Sequence, residues 1–101
     1  MDELIIHHQE MNEHGEGMWF VNDPADSNIL AKLVYHAAGE RRISLDSTVV
    51  SDTLRGRNVG KRLVNAAADY ARNKQLKLIP VCPFVIALFE KAVQDYSDVA
   101  G

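Results

Sequence analysis

The chain has 101 residues, 47% of them hydrophobic, a formal charge of −3 and one cysteine. That length supports one globular domain, residues 1–101, with a single modest core, and the lone cysteine excludes an internal disulfide and suits a reducing, cytoplasmic setting. The acidity argues against nucleic acid as a general partner, no apolar run nears the roughly 18 residues of a membrane span, and the acidic Met1-Asp2-Glu3 start is unlike a secretory leader.

In chain order, Leu4-Ile5-Ile6-His7-His8 reads as a short strand, and the polar stretch from Gln9 to Glu16 carries no apolar period and reads as a loop. Gly17-Met18-Trp19-Phe20-Val21 is a second strand, closed by the turn-forming run from Asn22 to Asn28. Ile29 to Ala37 is a third, and Gly39-Glu40 turns the chain back. From Arg41 the pattern alternates, with Ile43 and Leu45 on one face and Arg42, Ser44 and Asp46 on the other, a half-buried fourth strand ending near Val50. Four strands with short connections predict an antiparallel meander. A helix follows from about Asn58 to Lys74, with Val59, Leu63, Ala66, Ala67 and Tyr70 at helical spacing and small alanines that allow close approach to a sheet. Leu76 to Val81 is a fifth strand, parallel to the fourth through a right-handed crossover. Pro80 cannot donate to a ladder, so the fifth strand is expected to splay or lose its partner there. Pro83 suits the first turn of a last helix, Phe84 through Ala92. The order ββββαβα describes an α+β fold with a mixed sheet.

Charge is unevenly placed. Residues 1 to 26 hold seven acids and no Lys or Arg, an electronegative stretch able to attract a cationic amine or simply to serve as a solvated edge. Against that stands Leu54-Arg55-Gly56-Arg57-Asn58-Val59-Gly60-Lys61-Arg62, where four of the chain's 11 Lys and Arg residues fall in nine positions, with no acid between Asp52 and Asp69. A strand, a glycine-punctuated basic loop and a helix start direct backbone N–H groups and a helix dipole at one spot, which makes an anion site, most naturally for phosphate. The plainer alternative is a solvated basic loop leading into an ordinary helix. The Walker pattern fails, because Gly56 and Gly60 are one residue too close and Arg62 stands where a hydroxyl is needed; the dinucleotide pattern G-x-G-x-x-G fails as well.

What the loop does match is the [Q/R]-x-x-G-x-[G/A] pyrophosphate loop of the GNAT acetyltransferases, with Arg55 first, Asn58 fourth and Gly60 sixth. Asn58 replaces the usual glycine; Asn is the residue that best tolerates a left-handed backbone after glycine. Together with Ile79-Pro80-Val81-Cys82-Pro83-Phe84 and Tyr96-Ser97-Asp98-Val99, the sequence resembles the small YjdJ-type branch of the GNAT superfamily over roughly residues 17 to 100. The resemblance implies a GNAT-like mixed sheet whose fourth and fifth strands splay to admit the pantetheine arm of acetyl-CoA. It places the pyrophosphate on the N–H groups from Arg57 to Lys61, with Arg55, Gly56, Arg57, Asn58, Val59, Gly60 and Lys61 as the cradle. Val49 and Val50 at the end of the fourth strand join the same cofactor site, and the thioester lies near Cys82. The implied activity is transfer of acetyl from acetyl-CoA to an unidentified amine, without a metal. The alternatives are a non-catalytic acyl-CoA-binding or sensing module, and an unrelated nucleotide- or phosphate-binding domain. Larger GNAT enzymes insert a helical hairpin after the first strand; the gap from Gln9 to Glu16 is too short for two helices of about 10 residues, so that hairpin is expected to be absent and the acceptor side open.

Cys82 has two readings. At a helix N-cap the dipole favours thiolate, which could take the acetyl group or hydrogen-bond the departing CoA sulfur; equally it is a small buried residue lining the slot. In the YjdJ-type branch a His precedes the Thr at the end of the fourth strand, and here Ser47 precedes Thr48; a serine cannot take a proton at neutral pH. Asp46 either acts as a base through a water or is a solvent-facing strand carboxylate. His7, His8 and His14 lack the further ligand and fixed element that a metal wants, and read as surface histidines. Trp19 and Phe20 are core or groove-lining aromatics.

Overall fold

The computed structural model describes residues 4–25 and 27–101. Five strands form one sheet in the order β1-β2-β3-β4-β5: β1 His7–Gln9, β2 Glu16–Asn22, β3 Ile29–Ala37, β4 Arg42–Val50 and β5 Lys77–Pro80. The first four pair antiparallel in sequence order, and β5 joins β4 in parallel. Between β4 and β5 lie a short 3-10 turn, Asp52–Leu54, and helix α1, Val59–Lys74; α2, Pro83–Lys91, and α3, Val93–Tyr96, follow β5. The α+β order ββββαβα is thus observed with one short helix added. No helix intervenes between β1 and β2, and Asn12 to Gly15 form a hydrogen-bonded turn. Three of the seven N-terminal acids, Asp2, Glu3 and Asp26, and the Met1-Asp2-Glu3 start lie outside the described residues.

The period-2 pattern of the strands gives the sheet one dry face. Trp19, Val21, Ala31, Leu33, Tyr35, Ile43, Leu45 and Leu78 are buried on it. Helix α1 lies on that face with Val59, Leu63, Val64, Ala67, Ala68 and Ala71 buried; Ala66 and Tyr70, expected in the stripe, sit only partly buried at its flank. The buried stripe is shifted because α1 also packs sideways: Tyr96 Oη donates to Asn65 Oδ1 at 2.5 Å, and the Phe84 ring rests on Gly60. The α2–α3 segment therefore shares α1's side of the sheet. Full burial of a side chain such as Leu63 is worth roughly 1.5–3 kcal/mol, so this one face carries most of the core energy. Along the opposite face run Phe20, Lys32, Val34, His36, Ser44 and Asp46, all half-buried.

Several boundaries moved. The first strand is His7–Gln9 rather than Leu4 to His8, because only those residues find partners on β2. The fifth ends at Pro80, which still stands opposite Leu45 but is the last pair, since a proline continues no ladder. The C-terminus contributes a feature without a sequence signal: Leu78 bridges in parallel to Ala100, so the outer edge of β5 is covered. Arg72 anchors this tail, its Nε 2.7 Å from Asp98 Oδ2 and its Nη2 2.8 Å from the Asp95 carbonyl.

Candidate active site

Strands β4 and β5 pair only from Arg42–Leu45 to Lys77–Pro80, whereas β4 stays paired to β3 as far as Val50. From Asp46 onward the β5 side of β4 has no strand beside it among the described residues. Two local causes produce the parting. Asp46 is the extra residue of a bulge, since Val34 opposes Ser47 while Tyr35 opposes Leu45, and a bulge bends and twists its strand. On the other side Pro80 ends β5, after which the Val81 and Cys82 N–H groups both converge on the Leu45 carbonyl, at 3.1 and 3.0 Å. The expected splay of the fourth and fifth strands is present.

At the far end of β4 the chain enters the basic loop. Gly56 has φ +85°, and Asn58, the residue before α1, has φ 56° and ψ 33°. Asn58 does adopt the left-handed backbone its chemistry allows. Two left-handed residues around Arg57 curl the backbone into a concavity of the type that binds anions. The first rung of α1 runs from the Arg62 N–H to the Asn58 carbonyl at 3.0 Å, and no side chain caps the helix. The N–H groups of Val59, Gly60 and Lys61 thus precede the ladder. Arg57 N–H is committed to the Leu54 carbonyl at 3.3 Å, so the donor set starts after Arg57.

A cavity of about 410 Å³ lies between the end of β4, the loop and α2, lined by Thr48, Val50, Leu54, Arg55, Gly56, Asn58, Val59, Gly60 and Phe84. Of the residues expected at a cofactor site it gathers Val50, Arg55, Gly56, Asn58, Val59 and Gly60. Lys61 lines an adjoining groove of about 470 Å³ with Phe84, Leu88 and Lys91. Arg57 lines another cavity, with Leu4, Asp23 and Leu54. The cations do not converge: Arg55 Nη2 pairs with Asp52 Oδ1 at 2.7 Å, both well exposed. Val49 is 54% exposed on the strand position between cavity-lining Thr48 and Val50. Sequence reasoning missed Phe84 as a wall; a Cβ on Gly60 would stand 2.8 Å from its Cζ, so glycine there makes room for the ring.

Cys82 is 7% exposed and precedes α2, with Pro83 opening the helix. Its Sγ is 3.5 Å from Thr48 Oγ1. Burial pushes the thiol up, but the Thr48 hydroxyl and the N–H groups of Val85 and Phe84 leave it below its ordinary value. No capping hydrogen bond closes at Cys82, and the first-turn N–H groups add to the Thr48 hydroxyl in lowering the thiol. Cys82 is therefore a buried thiol whose pKa lies below its ordinary value.

On the outer face of the sheet, Asp46 does not simply face solvent. Its Oδ2 is hydrogen-bonded to Nδ1 of His36, whose Nε2 lies 3.0 Å from Glu16 Oε2. These residues come from β4, β3 and β2. The Asp46 hydrogen bond, with help from Glu16, raises the imidazole above its ordinary range. His36 was not singled out from the sequence. Nor is His8 a surface residue as expected: its ring stacks on Trp19 with centroids 4.5 Å apart, and its Nε2 is 2.7 Å from Tyr35 Oη, so burial lowers its pKa. Trp19 is a core residue at 3% exposure.

The GCN5-related N-acetyl-transferase family model matches residues 19–99. Protein NATD1 of Xenopus tropicalis is 34% identical over 55 residues, covering 54% of this chain and 50% of that protein. Human Protein NATD1 is 36% identical over 55 residues, covering 54% and 49%. The chain spans about half the length of these curated relatives in the alignments. A GCN5-like protein from Staphylococcus aureus, solved in solution by NMR, aligns at a TM-score of 0.76 and 34% identity over all of this chain and 91% of that one. Ribosomal-protein-alanine N-acetyltransferase from Brucella melitensis biovar Abortus 2308 aligns at 0.60 and 21% identity over 89% and 64%, a likeness of fold alone.

Proposed function

Given that the chain belongs to the GCN5-related N-acetyl-transferase family, we propose that it transfers acetyl from acetyl-CoA to an amine, with residues 1–101 acting as one domain. The observation that carries this reading is the parting of β4 and β5 between an anion-ready loop and a buried, polarised thiol. A pantetheine arm in the parting would find the backbone groups of Asp46–Val50 that lack a strand partner on that side. The diphosphate would take the N–H groups of Val59, Gly60 and Lys61, with the Arg55 and Lys61 side chains adding charge from the rim. Strand N–H groups, Val50 among them, would hold the carbonyl oxygen as it gains charge during attack.

Cys82 suits a supporting role in this reaction. Its thiol sits where the sulfur of the bound thioester would end, and a hydrogen bond from it or from Thr48 favours departure of the CoA thiolate. A covalent acetyl-cysteine needs no place in the scheme. The uncovered outer face and the short β1–β2 turn leave the acceptor side open, which suits a lysine side chain or a protein terminus over a small enclosed amine. A single buried cysteine is in keeping with a reducing, cytoplasmic setting.

The test is release of free CoA from acetyl-CoA with spermidine and a lysine-containing peptide, alongside thermal protection by CoA and by ATP. Amine-dependent release with protection by CoA supports the transferase. Protection by CoA without amine-dependent release identifies the acyl-CoA-binding module instead, and protection by ATP in place of CoA a nucleotide-binding domain.

A further inference from the structure

Cys82 and Asp46 approach the parting from opposite faces of β4. Cys82 lies with Thr48 on the helix-covered side, and its N–H holds the Leu45 carbonyl at 3.0 Å. Asp46 is the very next residue, on the uncovered face by strand alternation and unpaired at the bulge. An acyl group held in the parting would thus have its leaving sulfur toward one face and a carboxylate toward the other. The carboxylate is braced. His36 holds Asp46 Oδ2, and Glu16 holds the far nitrogen of the same ring at 3.0 Å. Because the two carboxylates bond opposite ring nitrogens, no single metal ion could join all three through this arrangement; the ring works as a strut.

We propose that Asp46 is the proton acceptor of the transfer, and that His36, itself held by Glu16, is the residue that positions it. This rests on the transferase reading above. The acceptor nitrogen attacks the acetyl carbonyl carbon, and the C–N bond forms as the C–S bond breaks. The electron pair of that bond leaves on the CoA sulfur, next to Cys82 and Thr48. The proton shed by nitrogen goes to the Asp46 oxygen that His36 does not hold, and from there to water, since the Asp46 side chain is 27% exposed. The charged groups on the strands around the cluster are Glu16 on β2, Lys32 four residues before His36 on β3, Arg42 two residues before Ser44 on β4 and Lys77 opposite Arg42 on β5. Lys77 donates to the Asp98 carbonyl at 2.8 Å, away from the imidazole. His36 is therefore governed by its two carboxylates. With the ring neutral or protonated, the two carboxylates leave the cluster net negative, which also favours an arriving ammonium group.

The test uses the full chain with acetyl-CoA saturating and spermidine or a lysine-containing peptide as acceptor. Asp46→Asn is expected to slow amine-dependent CoA release at least tenfold while thermal protection by CoA is unchanged, and Asp46→Glu to recover part of the loss. His36→Gln, which keeps a hydrogen-bond donor but cannot titrate, is expected to lower kcat severalfold with little change in KM for acetyl-CoA and to remove one limb of the pH profile. NMR titration of the His36 ring gives a readout independent of turnover: its pKa lies above 6.5 in the native chain and falls back in Asp46→Asn. Release by Asp46→Asn within twofold of the native rate, or a His36 ring that titrates normally, overturns the inference and leaves the transferase reading standing. Failure of CoA to protect the native chain, or of any amine to release CoA, overturns the reading and the inference together.

Discussion

The first part of β4, Arg42–Leu45, has strands on both sides; the last part, Asp46–Val50, keeps only β3 among the described residues. In the first part the buried positions Ile43 and Leu45 complete the dry face under α1, and the backbone is spent on neighbours. In the second part side chains alternate between a cavity and solvent, and the backbone on one edge is left available. One bulge residue and one proline separate a stretch of strand that holds the domain together from a stretch that can hold a ligand. Stability and binding should therefore divide at Asp46, and substitutions on either side of it should be felt in different measurements.

The largest effect is expected from Leu45→Ala. Leu45 is fully buried and supports the parting from beneath, and a large-to-small change at such a site costs about 2–5 kcal/mol. Denaturant unfolding should show most of that loss. Four residues on, Val49→Ala removes an exposed side chain, and its stability should stay within about 0.5 kcal/mol of the native chain. Equal losses at the two positions would erase the division.

Gly60→Ala sharpens the comparison from the cavity side. Its new methyl meets the end of the Phe84 ring at 2.8 Å, and the ring, 43% exposed, can swing away. The fold should tolerate this, whereas the cavity that Phe84 and Gly60 share should not. CoA affinity, read by isothermal titration, is expected to fall about tenfold, which corresponds to about 1.4 kcal/mol. A melting temperature that drops while affinity holds would place Gly60 in the core instead.

A smaller effect comes from pH. The His36 pKa is raised in the folded chain, chiefly by its hydrogen bond to Asp46, so the bonus is complete below the unfolded value near 6.5 and is lost as pH rises through the higher folded value. Stability measured by denaturant midpoint between about pH 6 and 9 should fall along that window in the native chain, and His36→Gln should flatten the fall. The same slope in both proteins would show that the clamp is not populated in solution.

What could be read from the residues beforehand follows a physical divide. Strand β3 was legible to the residue, Ile29–Ala37, because an apolar, partly β-branched run between turn signals encodes itself locally. The left-handed Asn58 was legible for the same reason, since the constraint lies in one residue's own backbone. The parting of β4 from β5 was half legible: Pro80 announced it, but the bulge at Asp46 depends on how β3 and β4 align. His36 stayed invisible because Glu16, His36 and Asp46 meet only through the registers of three strands. The scatter of Arg55, Arg57 and Lys61 into different surroundings was hidden likewise, because charge clustered in sequence says nothing of where long side chains point.

Arg55 offers the smallest change in stability and the cleanest separation of it from binding. Its pair with Asp52 is an exposed one, three residues apart in the chain, and such pairs are worth about 0–1 kcal/mol because water already solvates both charges. Arg55→Ala should leave the unfolding midpoint almost where it was. At the mouth of the cavity, however, the same guanidinium adds to the field on any diphosphate held by the N–H groups of Val59, Gly60 and Lys61. CoA affinity is expected to fall about threefold to tenfold at low salt, and the gap should close as ionic strength rises, since a charge at the rim is screened over about 10 Å at 0.1 M. A salt-independent loss would mean that Arg55 acts through the shape of the loop, and no loss at all would detach the basic run from phosphate binding and leave the task to the helix start alone.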